Sequence, residues 1–548
     1  MPFPRQLPHR AVLPLQFLLL ALATSGLYGW FLGSTLVYDD IPFFDKLHPE
    51  IYDSALLYDA LFRFDLRWLP YASFYWTRNL LGDGVVWLRL GNLALHLSNV
   101  FLLFLLLRRL FAATLADEAG SQATSPAAAP LPPDWLAFAG ALLFAVHPVA
   151  VYGAAYLVQR TILMATLFAL LTWLLFLEGL LRRQQRWWLL SALTCLLAVL
   201  AKEHAIMVPA VAAALLVLVR KPDRQLLLKA GPTFLLYALA GAFVVYKAKT
   251  TGIIGGVYEP AGLKRLSQQG VVQHSALPLS VVTQTCLYFK YLWLWLLPNP
   301  AWMSVFMKER FADRLWGWPE TAGLAGFALY GVGAGWLLLK RGRKGLLGFA
   351  LLAPWLLFAT ELSTVRAQET FVLYRSYLWM GCLFAALPFL LQRLPARFAA
   401  GLLLAVTLAL VPAAWNRLGS FSNPVRLWED ALHLARNRYL QDDLAMTSIY
   451  FDLGTAQLNM GLFPEAITNF DEAVRRKPQI AKLYQNRGRT YLKMQRYDQA
   501  LNDYSTAISL DPDEPANYLF RGRIFEILGN PAAAQQDTQY GLRLQSMP

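Results

Sequence analysis

VYDDIPFFD, residues 37–45, ends the first long apolar run of the chain and replaces it with carboxylates. That run, residues 11–31, is long and greasy enough to cross a bilayer. Asp39 and Asp40 follow it by a few residues, so they are expected at the membrane surface, on the side that the run reaches. A carboxylate at such a depth is partly desolvated, which raises its proton affinity and suits it to take a proton from a hydroxyl nucleophile. At that boundary a reactant dissolved in lipid can meet one dissolved in water. The same spacing suits a helix cap or a marker of the water boundary, and spacing alone leaves both readings open.

The composition agrees with a membrane setting. Apolar residues make up 57% of the 548, mean hydropathy is +0.39 and there are 18 tryptophans, too oily for a protein with a wholly wetted surface. The formal charge of +14 would suit nucleic acid, but Lys and Arg fall in short clusters between apolar runs, the distribution that orients membrane proteins. Nucleic acid is therefore not expected as a partner, whereas membrane lipid with an anionic headgroup is. Cys195, Cys286 and Cys382 are odd in number and lie inside apolar segments, which favours packing over a disulfide set or a metal cluster. Residues 11–31 lead into VYDD rather than a small-residue cleavage site, so they are expected to stay as the first span.

Arg5, His9 and Arg10 precede that span and place the N-terminus in the cytoplasm. LYDALFRFDLRWLPYASFYW, residues 57–76, reads as a short amphipathic helix and an aromatic stretch along the interface. A second span, residues 85–107, returns to Arg108 and Arg109, and residues 112–133, rich in Ala, Ser and Pro, read as a flexible cytoplasmic linker. Apolar windows of roughly 17 to 23 residues give about eleven spans, an odd number that puts the C-terminus outside. Residues 281–297 fit poorly as a lone crossing, because a span there would invert the later basic clusters and would carry Lys290. A re-entrant or interfacial helix, or one arm of a hairpin, is expected there.

After Trp415 the spans stop and a 34-residue repeat begins. Gly454, Ala466, Phe470, Ala473 and Pro478 recur as Gly488, Ala500, Tyr504, Ala507 and Pro512, and Gly522 and Ala534 continue the series. This is the tetratricopeptide pattern, in which small residues let two antiparallel helices approach and Pro ends the second. Trp428 and Ala431 occupy second-helix positions of a connecting half-repeat, and Thr538 and Gly541 mark a decaying terminal repeat. The expected fold class is therefore all-α: a polytopic membrane domain over residues 1–415, a connecting half-repeat over 416–446 and a tetratricopeptide solenoid over 447–548. Such an array binds a protein partner on its concave face or props the membrane domain.

Three further polar clusters fall on the outer side. ALLFAVHPVAVYGAAYLVQR, residues 141–160, sets His147, Pro148 and Arg160 around an outward turn. Arg160 there meets a lipid phosphate or snorkels to water. LAKEHAIMVP puts Lys202, Glu203 and His204 at a tight turn, where Lys202 and Glu203 are expected to pair, as a structural ion pair or as part of a site. No second His or Cys stands at ligand spacing from His204, so a metal is not expected on it. ETFVLYRSYLWM, residues 369–380, places Arg375 between Tyr374 and Tyr377, a setting for a phosphate beside a lipid chain or sugar face.

The order VYDD, RWLP, GNLALHLSN, ALLFAVHPVAVYGAAYLVQR, LAKE and YFKYLWLWLLP, followed by the repeats, resembles the transmembrane and tetratricopeptide-repeat O-mannosyltransferases and bacterial pilin glycosyltransferases, across nearly the whole chain. That resemblance implies a C-type glycosyltransferase fold in a bacterial inner membrane, with the repeats periplasmic. It implies transfer of a sugar from a polyprenyl-phosphate donor to Ser or Thr of a secreted protein such as a type IV pilin. It makes Asp39 or Asp40 the catalytic base and gives Arg160, Arg375 and Lys202 the donor phosphate, with His147, Glu203 and Tyr374 in support. A divalent cation has room beside paired carboxylates, although a lipid-monophosphate donor does not require one. Relatives often carry Glu where Tyr152 stands and a second His where Ala150 stands, a departure that bears on the sugar. A polysaccharide polymerase or ligase, and a non-catalytic scaffold whose repeats bind protein, remain as alternatives.

Overall fold

The computed structural model describes residues 9–45, 65–116, 129–251, 276–367, 369–436, 438 and 442–546. Among them every regular element is a helix, apart from one isolated bridge between Pro130 and Pro395. The chain divides into two compact units, residues 1–303 with 308–419, and residues 304–307 with 420–548.

Among the described residues of the first unit, eight helices are long and apolar enough to cross a membrane: Val12–Phe31, Val85–Leu115, Leu157–Arg182, Arg224–Thr250, Glu320–Leu339, Gly342–Leu362, Leu373–Leu391 and Ala396–Ser420. Three shorter apolar helices, Pro133–Ala145, Gln185–Ala201 and Glu203–Val219, lie between them. Length and composition thus qualify eight helices where about eleven spans were expected. Leu157–Arg182 and Val85–Leu115 are central, 67% and 50% buried, whereas Ala396–Ser420 is 17% buried and leans on the first span through Trp415 against Trp30 and Phe31. The apolar surface of the outer helices is what a lipid-facing position demands.

Three sequence expectations need correction here. The Val85–Leu115 helix runs past Arg108 and Arg109, which are neutralised by Asp134 and Glu178, so residues 112–115 are helical rather than linker. The Ala276–Leu296 helix is continuous, so of the readings expected there the re-entrant one gives way to an interfacial helix or one arm of a hairpin. Its Lys290 pairs with Glu309 and lies over Phe371, so the charge is spent inside the protein. The last apolar helix continues through Trp415 to Ser420. Arg5 and residues 57–64 and 117–128, expected as a tail charge, an interfacial helix and a linker, lie outside the described residues; the helix Trp68–Leu81 takes in the interfacial stretch from Trp68 onward.

The second unit contains three helix pairs: Asp443–Asn459 with Phe463–Arg476, Ala481–Lys493 with Tyr497–Leu510, and Pro515–Ile527 with Pro531–Gln545. Gly454 shows why the pattern needs a small residue, since a Cβ there would stand 2.9 Å from the Phe470 ring. Arg487 is clamped by Asp503, and 34 residues later Arg521 is clamped by Asp537. The Pro424–Arg436 helix buries Trp428 and Ala431 against the first pair, and Val305 and Phe306 pack on the same cluster.

Candidate functional site

Tyr38 adopts φ +51°, a left-handed conformation that a bulky residue takes only at a cost. The turn it makes sends the next two side chains into different surroundings. Asp40 is fully buried, and its carboxylate accepts the N–H groups of Val158 at 2.9 Å and Val37 at 3.4 Å. Burial pushes Asp40 up to about 7, although Arg89 and the N–H donors pull it down. Arg89 donates to the carbonyls of Ser34 at 2.8 Å, Ala155 at 2.8 Å and Thr35. Asp40 and Arg89 therefore tie the turn after the first apolar helix to the entrance of the Arg160–Arg182 helix.

Asp39 is exposed. Its N–H donates to the Tyr156 hydroxyl at 3.2 Å, and that hydroxyl also hydrogen-bonds the Asp39 carboxyl. Although the residue as a whole faces outward, neighbouring protein strips enough water from the carboxyl to raise it above the ordinary carboxylate range. The Tyr156 hydrogen bond acts in the opposite sense, and Glu369 pushes it further up. The Tyr156 ring stands 6.3 Å from both Tyr38 and Tyr374, and the Lys202 ammonium lies 5.0 Å from the Tyr374 ring centre.

Lys202 is buried and donates to Gln159 at 3.2 Å and Thr161 at 3.3 Å. Burial, then the Arg67 charge, lowers it to about 7. It does not pair with Glu203 as expected. Lys202 is extended, with φ −158° and ψ 128°, and Glu203 opens a 3₁₀ turn, so the two side chains point apart. Glu203 takes a two-point contact from Arg67 instead. Arg67 itself sits at φ +63° and is pinned by its N–H to the Leu200 carbonyl at 2.7 Å.

From Glu203 a chain of charges runs inward. His204 has one ring nitrogen 3.4 Å from Glu203 and the other 3.2 Å from Glu361. Glu361, 1% exposed, also meets Arg375 at 2.9 Å and Arg366 at 3.3 Å. The other arm of Arg375 reaches Glu369, whose side chain is 58% exposed. Arg375 is thus not a lone cation among tyrosines: a buried carboxylate fixes one arm and an exposed one occupies the other.

His147 and Arg160 have different surroundings. His147 stacks on Trp295 with ring centres 4.3 Å apart, donates to the Trp295 carbonyl at 3.0 Å and accepts the Val149 N–H at 3.2 Å. Burial lowers it to about 3, so it is a neutral tie. Arg160 is buried, lies 3.8 Å from the centre of Phe74 and donates to Asn92 at 2.8 Å, Ser73 at 3.1 Å and the Leu88 carbonyl at 2.6 Å. Gly91 makes the room, since a Cβ there would stand 2.8 Å from the guanidinium. These partners are all neutral.

The structure therefore links Asp39 through Tyr156 to Tyr374, with Lys202 over the Tyr374 ring and Arg375 next to it in the chain, while Glu203 joins Arg375 through His204 and Glu361; Asp40, His147 and Arg160 are each tied to other partners. The two aspartates do not form a shared pair, and among the described residues no three His, Cys, Asp or Glu side chains gather in a metal-ligand grouping. Sequence reasoning missed Tyr156, Arg89, Arg67, Glu361 and Glu369. Tyr156, Arg67 and Glu369 stand inside stretches quoted above, whereas Arg89 and Glu361 carry no local signal.

The tetratricopeptide repeat family model matches residues 481–514. No curated protein matches the chain in sequence. Solved structures similar to part of it include the following two. "Crystal structure of MamA" is 23% identical over 24% of this chain and 75% of the other, with a TM-score of 0.21. "Crystal structure of MamA protein" is 22% identical over 28% of this chain and 81% of the other, also with a TM-score of 0.21. The chain is thus all-helical in its regular elements among the described residues, with long apolar helices and a C-terminal tetratricopeptide repeat.

Proposed function

We propose that the chain is a membrane glycosyltransferase of the C-type fold. It moves a sugar from a polyprenyl-phosphate donor to Ser or Thr of a secreted or periplasmic protein, of which a type IV pilin is one candidate. The observation that carries the reading is the cluster in which the exposed Asp39 meets Tyr156, the Tyr156 ring meets Tyr374, and Lys202 and Arg375 lie beside the Tyr374 ring. A polar cluster at the ends of long apolar helices suits a reaction between a greasy donor and a watery acceptor.

In this reading Asp39 takes the acceptor hydroxyl's proton as the oxygen attacks the anomeric carbon. The bond from that carbon to the phosphate oxygen breaks with inversion, and lipid phosphate leaves. Lys202 and Arg375 hold the phosphate as its charge grows. Arg160, already held by Asn92, Ser73 and Leu88, supports the wall on which the donor rests. The protein mainly positions the reactants, because phosphate is a good leaving group. The repeats, a protein-binding architecture, would present the acceptor from the periplasmic side of an inner membrane.

The test is mass spectrometry of periplasmic proteins from cells with and without the chain, together with identification of lipids that copurify with it. Hexose-modified Ser or Thr that vanishes without the chain, and a bound polyprenyl-phosphate sugar, support the reading. Unchanged proteins with an altered surface glycan would make it a polymerase or ligase. Unchanged proteins and glycans with no donor lipid would make it a scaffold.

A further inference from the structure

Granting Asp39 as the base, the geometry points to a second residue that the reaction needs. Tyr156 lies between the short Val151–Ala154 helix and the Leu157–Gln159 turn, extended at φ −89° and ψ 108° and buried. We propose that Tyr156 is the positioning residue of the base, its hydroxyl holding the Asp39 carboxylate so that it faces the acceptor.

A phenol donates one hydrogen bond and accepts others. The Asp39 N–H fills the accepting side at 3.2 Å, which leaves the one phenolic proton for the Asp39 carboxyl. One residue is thereby gripped at both its main chain and its side chain, and rotation of the carboxylate away from Tyr156 breaks that grip. The phenol stays a donor, since burial and the two aspartates hold it well above its ordinary value. Packing explains the ring, which touches Tyr38 and Tyr374. It does not explain the hydroxyl, because a phenylalanine would make the same ring contacts.

The groups that face Asp39 act in opposite senses. Tyr156 comes from the turn before the Arg160–Arg182 helix, and Tyr374 and Glu369 from the stretch before Ser376. Lys202 and Arg375 stand behind Glu369, and Arg67 stands beside Lys202. The Tyr156 hydrogen bond favours the ionised carboxyl, and the Glu369 charge opposes it. Removing each should therefore move the acid limb of the rate profile in opposite directions, which a general loosening of the fold does not do.

The experiment uses the full chain in phosphatidylethanolamine and phosphatidylglycerol vesicles, with undecaprenyl-phosphate mannose, glucose and N-acetylglucosamine offered in parallel. Transfer of sugar, or its release to water, is followed against pH. With Tyr156→Phe the acid limb is expected to rise by roughly one pH unit, so that below the limb the rate falls about tenfold while donor KM is unchanged. With Glu369→Gln the limb is expected to fall. A Tyr156→Phe limb that stays in place, or variants that shift it the same way, overturns the proposal. Asp39→Asn separates the two levels: full turnover in that variant sinks the base itself. An inactive Asp39→Asn beside an unshifted Tyr156→Phe sinks only the positioning role.

Discussion

Asp39 and Asp40 are adjacent in the chain, yet Asp40 spends its carboxylate on the N–H groups of Val37 and Val158 while Asp39 is exposed beside Tyr156. Their substitutions should part accordingly. Asp39→Asn is expected to cut transfer at least about 100-fold, the lower range for a general base, with the melting temperature in detergent unchanged. Asp40→Ala strands two buried donors and is expected to cost about 1–3 kcal/mol of stability, seen as a lower melting temperature before any effect on chemistry is assigned. Full activity in Asp39→Asn would remove it as the base. The sequence marked both acids, because a carboxylate pair after an apolar run is visible from spacing. It could not rank them, since the rank depends on the left-handed turn at Tyr38 and on Tyr156, more than a hundred residues away. Lys202 and Glu203 mark the same limit: neighbours of opposite charge suggest a pair, and the extended backbone at Lys202 separates them.

Among elements, the Glu361 turn closes the Gly342–Phe358 helix and holds a buried carboxylate. Glu361 faces Arg375, Arg366 and His204 at once, and nothing in its surroundings of ATELST announces those contacts, which are made across helices. Glu361→Gln leaves buried cations without their counter-charge and is expected to cost about 3–5 kcal/mol, read as loss of monodisperse protein on extraction. A variant as stable as the parent would show that water or another group takes over. The repeats stand at the other extreme of legibility, because each helix pair is held by contacts that recur at a fixed interval. Gly454→Val drives two methyl groups toward Phe470. It is expected to destabilise the first pair by about 1–3 kcal/mol, seen as faster amide exchange over Asp443–Arg476 than over Ala481–Leu510.

Over the whole molecule, apolar runs and the 34-residue period mark out both units in the sequence. The exact join escapes such reading: the last apolar helix carries on to Ser420, and residues 304–307, from a loop of the first unit, belong with the second. Val305 and Phe306 pack on the Trp428 cluster, which sets how the repeats must be removed to learn what they do. A cut that leaves the Pro424–Arg436 helix would bare Trp428 and Leu432, so the deletion should span residues 420–548, with Val305→Ser and Phe306→Ser to keep the uncovered loop polar. If the repeats dock the acceptor, this variant is expected to lose at least about tenfold in transfer to a protein, the loss of a second binding contact in an otherwise intact enzyme. Its release of sugar to water from undecaprenyl-phosphate hexose should stay near the parent rate. Equal loss of both activities would make the repeats a structural prop, and unimpaired transfer to protein would leave them without a part in acceptor capture.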